Sequence, residues 1–195
     1  DAHAGEVEIF EDPSAKGGAF ANMYEGTDTS YGKITNGKIH AVIDSGSVIT
    51  FYHEDGRVLL KEHFRRLRDE ESMPLNIMGR EYSNGVGDNF RIVARFVARK
   101  GEKIFGMGQY QQHELDLKGC MLELAQRNSQ VSVPFYLSSI GYGFLWNNPG
   151  VGQVMFANNG TEWVTESGKE IDYLVIAGDT PAEIEENYMT LTGKP

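Results

Sequence analysis

The chain has 195 residues, of which 40% are hydrophobic and 24% charged, a length and balance that suit one sizeable globular domain or two small ones. Its formal net charge of −10 repels polyanions, so neither nucleic acid nor an anionic membrane surface is an expected partner. A single cysteine, Cys120, excludes an internal disulfide and suits a reducing compartment, which points to a cytoplasmic location. The chain has no apolar run of about 18 residues that could span a membrane as a helix. Its start at Asp1, with no signal-like apolar core, suggests a trimmed or processed chain.

Residues 1–32 are turn-rich and acidic, an irregular segment or part of a sheet, with a short strand expected around residues 7–10. From Lys38 the pattern sharpens. KIHAVID alternates, SGS turns, SVITFY alternates again, and HEDG closes a second turn before RVLLKE. Asp55-Gly56 is a favoured two-residue hairpin pair, so three antiparallel strands in a meander are expected. Residues 61–72, KEHFRRLRDEES, carry only a thin apolar stripe and read equally as a solvated helix or an extended edge. FRIVARFVAR, residues 90–99, is a strand. Phe90, Ile92, Ala94, Phe96 and Ala98 share one face; Arg91, Arg95 and Arg99 share the other, which must be wet or answered by acidic neighbours.

Beyond Gly119, strands are expected at 121–124, 131–137, 142–146, 151–156, 161–164 and 171–176, separated by glycine- and asparagine-containing turns. That rhythm predicts an antiparallel β-sandwich. The closing segment is a helix over about 181–192. Thr180 is its N-cap, Pro181 its first residue and Glu183 the partner in a capping box. Ile184, Tyr188 and Leu191 form its apolar stripe, and Gly193 ends it.

Three segments carry candidate chemistry. GMGQYQQ, residues 106–112, lacks the lysine and hydroxyl residue of a phosphate loop. Gly106 and Gly108 either bend a sheet corner or let Gln109, Tyr110 and Gln111 offer hydrogen bonds to a polar, uncharged ligand. Gln126, Arg127, Asn128, Ser129 and Gln130 group planar amides around one guanidinium, the donor and acceptor geometry that reads sugar hydroxyls. Phe135, Tyr136, Tyr142, Phe144 and Trp146 alternate along strands and read as core, whereas Trp163, after an Asn-Gly turn, is the expected exposed aromatic. His113, Glu114 and Asp116 cluster, but no second group completes a metal site. Cys120 reads as packed rather than reactive. No nucleophile elbow and no catalytic carboxylate pair stands out, so no cofactor, metal or catalytic residue is expected within this chain.

Taken in order, IFGMGQYQQ, LELAQRNSQVSVPFYLSSIGYGFLWNNP and AGDTPAEIEENYMTLTGKP, with ITNGKIHAVIDSGSVITFYHEDGRVLLKE before them, resemble the N-terminal domain of glycoside hydrolase family 31. The likeness covers most of residues 33–195. It implies a galactose-mutarotase-like β-sandwich, all antiparallel, packed on a (β/α)8 barrel that is expected after residue 195. It also implies that two aspartates of that barrel perform retaining hydrolysis of α-glucosides or α-xylosides. The resemblance assigns residues 126–130 to a loop at the mouth of the barrel, supported by the 106–112 segment. Some family members carry an aspartate where this chain has Gln126, Arg127 and Asn128, and many carry glutamate where it has Gln109.

The expected function is therefore a non-catalytic wall of a sugar pocket, acting on an α-linked oligosaccharide through the parent enzyme. A stand-alone carbohydrate-binding sandwich is the alternative. An apolar barrel-docking face would also favour self-association as a homo-oligomer.

Overall fold

The computed structural model describes residues 20–25, 30–44, 46–67 and 75–194. The chain divides into two compact units, residues 1–58 and 59–195. In the first unit, β1 (Phe20–Glu25), β2 (Ser30–Asn36), β3 (Ile39–Ile43) and β4 (Ile49–His53) pair antiparallel in chain order. β5 (Val58–Lys61) follows in the chain, its first residue in this unit and the rest in the second. Strands β3 to β5 are the three alternating runs of the sequence. β1 and β2 fall partly in the segment expected to be irregular, because FANMYE and SYGKITN show no apolar alternation; β1 pairs with β2, and β2 with β3. The strand expected around residues 7–10 lies outside the described residues. Turn chemistry is local: the Asp44 carboxylate accepts the N–H groups of Gly46 at 2.9 Å and Val48 at 3.0 Å, which closes the β3–β4 connection.

The second unit opens on a two-stranded pair, β6 (Arg65–Leu67) with β7 (Leu75–Ile77). Up to Leu67, the ambiguous charged segment is thus extended rather than helical. The rest is a sandwich. One sheet has the order β11 (Met121–Leu124), β14 (Gly152–Phe156), β15 (Thr161–Gly168), β9 (Phe90–Phe96), β8 (Arg80–Asn84). The other has the order β10 (Ile104–Gln109), β12 (Val131–Ser138), β13 (Tyr142–Trp146), β16 (Tyr173–Ala177). Every pairing in them is antiparallel. On β9, Ile92, Ala94 and Phe96 face the core. The arginines opposite are answered by acids: Arg95 meets Glu81 at 2.8 Å and Glu162 at 2.6 Å, and Arg91 meets Glu166 at 3.3 Å.

Aromatic rings from both sheets fill the interior. Tyr136 and Phe144 of one sheet stack on Trp163 of the other at 6.2 and 5.1 Å, and Phe156 and Phe96 meet them edge-on. Such ring pairs contribute about 1 kcal/mol each beyond the area they bury. Trp146 also stacks on Trp163 and donates its indole N–H to Thr165 at 3.0 Å. This corrects the reading of Trp163 as an exposed aromatic, since the residue is fully buried. Its position two residues into β15 makes it inward-facing, and the preceding Asn-Gly turn says nothing about which face the strand presents.

A buried carboxylate sits at one end of the sandwich. Glu102 accepts from Ser138 at 2.6 Å and Tyr142 at 2.8 Å, and pairs with Lys118 at 3.3 Å. The Tyr142 hydroxyl also touches that of Tyr136 at 3.1 Å. Burying a carboxylate is tolerated only with such compensation. Burial, then neighbouring charge, drives both phenols well above the usual range.

Helix α1 (Pro181–Thr192) begins as the sequence predicts. Thr180 accepts from the Glu183 N–H at 3.2 Å, while the Glu183 carboxylate reaches back to the Asp179 N–H at 2.9 Å. Ile184 alone in the helix is fully buried. It lies over Gly143 of β13, and Tyr188 stacks on Phe135 with ring centres 4.0 Å apart.

Two outcomes are expected. A Cβ at Gly143 would stand 2.7 Å from Ile184 and 2.9 Å from the Phe135 ring. Gly143→Ala should therefore destabilise the domain by about 2 kcal/mol, read as a lowered urea midpoint with unchanged slope. Alkali should act through Tyr136 and Tyr142. Their phenols stay protonated in the fold but ionise in the unfolded chain near pH 10. Stability is then fully present below pH 10 and falls as pH rises above it, whereas a midpoint flat to pH 11.5 would contradict this burial.

Candidate functional site

Within the 106–112 segment, residues 106–108 form a bulge in β10. Gly106, Met107 and Gly108 take positive φ angles of 115°, 69° and 89° in succession. The pairing with β12 shifts across them, from Gly106↔Tyr136 to Gly108↔Ser132, so Met107 alone stands opposite residues 133–135 of β12. Pro134, which has no N–H to give a ladder, sits in that stretch. Gly108 has no substitute here, because a Cβ would come within 2.2 Å of the Val131 carbonyl oxygen. The bulge turns Met107 fully inward and brings Tyr110 to the base of the 126–130 loop.

That loop connects the two sheets, leaving β11 after Leu124 and entering β12 at Val131. Its side chains are mostly committed to holding its shape. Gln126 donates to the Ser132 carbonyl at 2.7 Å and accepts the Ser132 N–H at 3.1 Å, so its amide stands in for a strand partner. Residues 127–130 form a turn closed by the Gln130 N–H to the Arg127 carbonyl at 2.9 Å, with Ser129 at φ 66°. Arg127 grips both oxygens of Glu123 at 2.6 Å each. That guanidinium holds the Glu123 carboxyl below its usual range. Asn128 is exposed at the tip and makes no hydrogen bond among the described residues.

The two predicted segments do come together. Gln111 donates to the Ser129 hydroxyl at 2.7 Å, and the Tyr110 hydroxyl meets the Glu123 carbonyl at 2.9 Å and the Ser132 hydroxyl at 2.8 Å. Gln109 is exposed at the end of β10, paired across the ladder with Val131. Beneath them lies an open depression of about 140 Å³ between Gly106, Gly108, Tyr110, Gln112, Glu114 and Leu115. It is smaller than a typical pocket for an organic ligand of about 300 Å³ or more, so these residues line an open depression rather than an enclosed site. His113 and Glu114 are exposed. Asp116 instead binds the backbone, accepting from Ile104 at 3.0 Å and Lys118 at 3.1 Å. Among the described residues no group of three or more His, Cys, Asp or Glu is placed to hold a metal ion. Burial, with Glu114 and Asp116 nearby, raises the Cys120 thiol, which keeps it protonated and poorly nucleophilic.

Two members of this constellation escape sequence reading, Glu123 and Ser132. Glu123 looks like an ordinary outward residue of β11. Ser132 is a polar residue at an inward position of VSVPFYLS, buried to 8% exposure, and that misplaced hydroxyl is the one signal available.

No protein-family model matches the chain. It is 45% identical over 173 residues to an uncharacterised family 31 glucosidase, ORF2, of Pseudescherichia vulneris, covering 83% of this chain and 33% of that protein. An α-xylosidase of Saccharolobus solfataricus is 34% identical over 113 residues, 53% of this chain and 16% of the relative. Among solved structures, a GH31 α-xylosidase from a soil metagenome, complexed with xylose, superposes with a TM-score of 0.77 at 44% identity. The match covers 87% of this chain and 26% of that one. The chain thus spans a third or less of the length of these relatives. Close identity across more than four fifths of the chain, on a shared antiparallel sandwich, makes it a member of glycoside hydrolase family 31, corresponding to the N-terminal β-sandwich domain of those enzymes.

Proposed function

We propose that this domain forms one wall of the sugar site of an α-xylosidase or α-glucosidase, completed by a catalytic (β/α)8 barrel. The reading rests on one observation: the chain matches family 31 proteins over most of its own length and only a third or less of theirs. The reactive carboxylates of retaining hydrolysis then belong to the barrel, and this domain supplies shape and hydrogen bonds. The substrate is an α-linked oligosaccharide, in keeping with the names of the relatives. The single cysteine, Cys120, supports a reducing, cytoplasmic setting. An apolar face left by the barrel would let isolated domains self-associate.

Within the wall, the 127–130 turn is the part directed at sugar. Its polar side chains divide into holders and a contact. Gln126 and Ser129 are tied internally, and Arg127 is gripped by Glu123, which neutralises the loop's one cation. That leaves the amides of Asn128 and Gln130; Asn128, exposed at the tip, can donate to and accept from neighbouring sugar hydroxyls. Neutral loops suit neutral sugars, since no unpaired charge has to be stripped of water on binding.

In the enzyme that carries this domain, Asn128→Ala should lower kcat/KM on an α-xyloside or α-glucoside by about fivefold, the loss of one hydrogen bond. The isolated 195-residue chain should turn over neither glycoside. An unchanged kcat/KM would reduce the turn to scaffolding, and turnover by the isolated chain would overturn the division of labour.

A further inference from the structure

The 125–130 segment crosses from the five-stranded sheet to the four-stranded one. Its two feet are Glu123, near the end of β11, and Ser132, near the start of β12. Such a crossing has no ladder of its own, so its height and tilt depend on what ties the feet together. One group touches both. The Tyr110 oxygen lies 2.9 Å from the Glu123 carbonyl oxygen and 2.8 Å from Ser132 Oγ. A carbonyl can only accept, so the single phenol proton goes to Glu123, and the Ser132 hydroxyl supplies the proton of the second bond.

We propose that Tyr110 is a positioning residue, a brace whose hydroxyl bridges the two feet of the sheet crossing and thereby fixes the 127–130 turn and the place of Asn128. The role in sugar binding rests on the function proposed above; the brace does not. Three observations carry it. Each foot that Tyr110 holds is also the anchor of a turn side chain: Glu123 grips Arg127 through its carboxylate, and Ser132 pairs with Gln126 through its backbone. The bulge is what delivers Tyr110 to the crossing, because Gly108 pairs with Ser132 at a backbone approach no other residue permits. The next residue, Gln111, bonds Ser129 on the turn itself. The bridge is also stable to pH: burial, then the Glu123 charge, raises the phenol, so it stays protonated at neutral pH.

Tyr110→Phe removes one oxygen and keeps the ring. In the 195-residue chain it should speed hydrogen exchange at the Gln130 and Ser132 N–H groups by about fivefold, leaving Phe144 and Leu145 of β13 unchanged. Ser132→Ala, which removes the other half of the bridge, should speed the same two amides and keeps the test open if the first variant fails to fold. Unchanged exchange at both amides in the folded variants overturns the brace. In the full enzyme, Tyr110→Phe should raise KM severalfold with kcat unchanged. Faster exchange with an unmoved KM would uphold the brace and sink the sugar-facing reading of the turn, so the two ideas fail separately.

Discussion

Two strands of this domain run closer together than side chains allow, and much of the candidate site follows from that approach. At Gly108 the backbone of β10 lies against the Val131 carbonyl with no room for a carbon atom. Reaching that contact takes three successive left-handed residues, one of them Met107. Holding a side chain in that conformation costs about 1–2 kcal/mol. Burying the methionine completely returns about 1.5–3 kcal/mol, so the strained bulge is at least offset where it stands. The geometry it purchases is a register shift, and the shift decides which side chain of β10 emerges under the sheet crossing.

The interior and the loop are stabilised by opposite means. Between the sheets, ring stacking dominates, and polar atoms are satisfied by specific partners, the Trp146 indole by Thr165 and the Glu102 carboxylate by Ser138, Tyr142 and Lys118, while the buried Trp163 indole N–H has no hydrogen-bond partner among the described residues. Around residues 126–130 there is almost no apolar burial, and side-chain hydrogen bonds to backbone replace it. Each such bond contributes only about 1 kcal/mol net. A loop held by several weak, specific bonds keeps a defined shape without a hydrophobic anchor, which suits a surface meant to meet water and hydroxyl groups.

Most strands were legible because alternation is a direct record of one buried and one solvated face. FRIVARF carries its inward face on the page, YGFLW reads as an apolar run buried at every position, and the Thr180-Pro181-Glu183 sequence declares its helix, whereas VSVPFYLS buries Ser132, Tyr136 and Ser138 and leaves Val131 and Val133 exposed. β1 and β2 were not legible, since FANMYE and SYGKITN carry no apolar period to read. Trp163 was misjudged because the turn before it was weighed more than its place in the alternation. The loop was found by composition, but its roles were hidden. Nothing in AQRNSQ tells that Gln126 imitates a strand, that Arg127 is neutralised by Glu123, or that the Asn128 and Gln130 amides are left over, because those facts depend on partners outside the loop.

The chain's two tryptophans lie within one ring cluster, 5.6 Å apart and both shielded from water. Their ultraviolet emission therefore reports the interior of the sandwich and is blind to events at the turn. A loop movement or a sugar touching Asn128 would pass unseen by intrinsic fluorescence, while loosening between the sheets would be conspicuous. Optical melting of this domain measures its aromatic heart, and the working edge must be watched by other means.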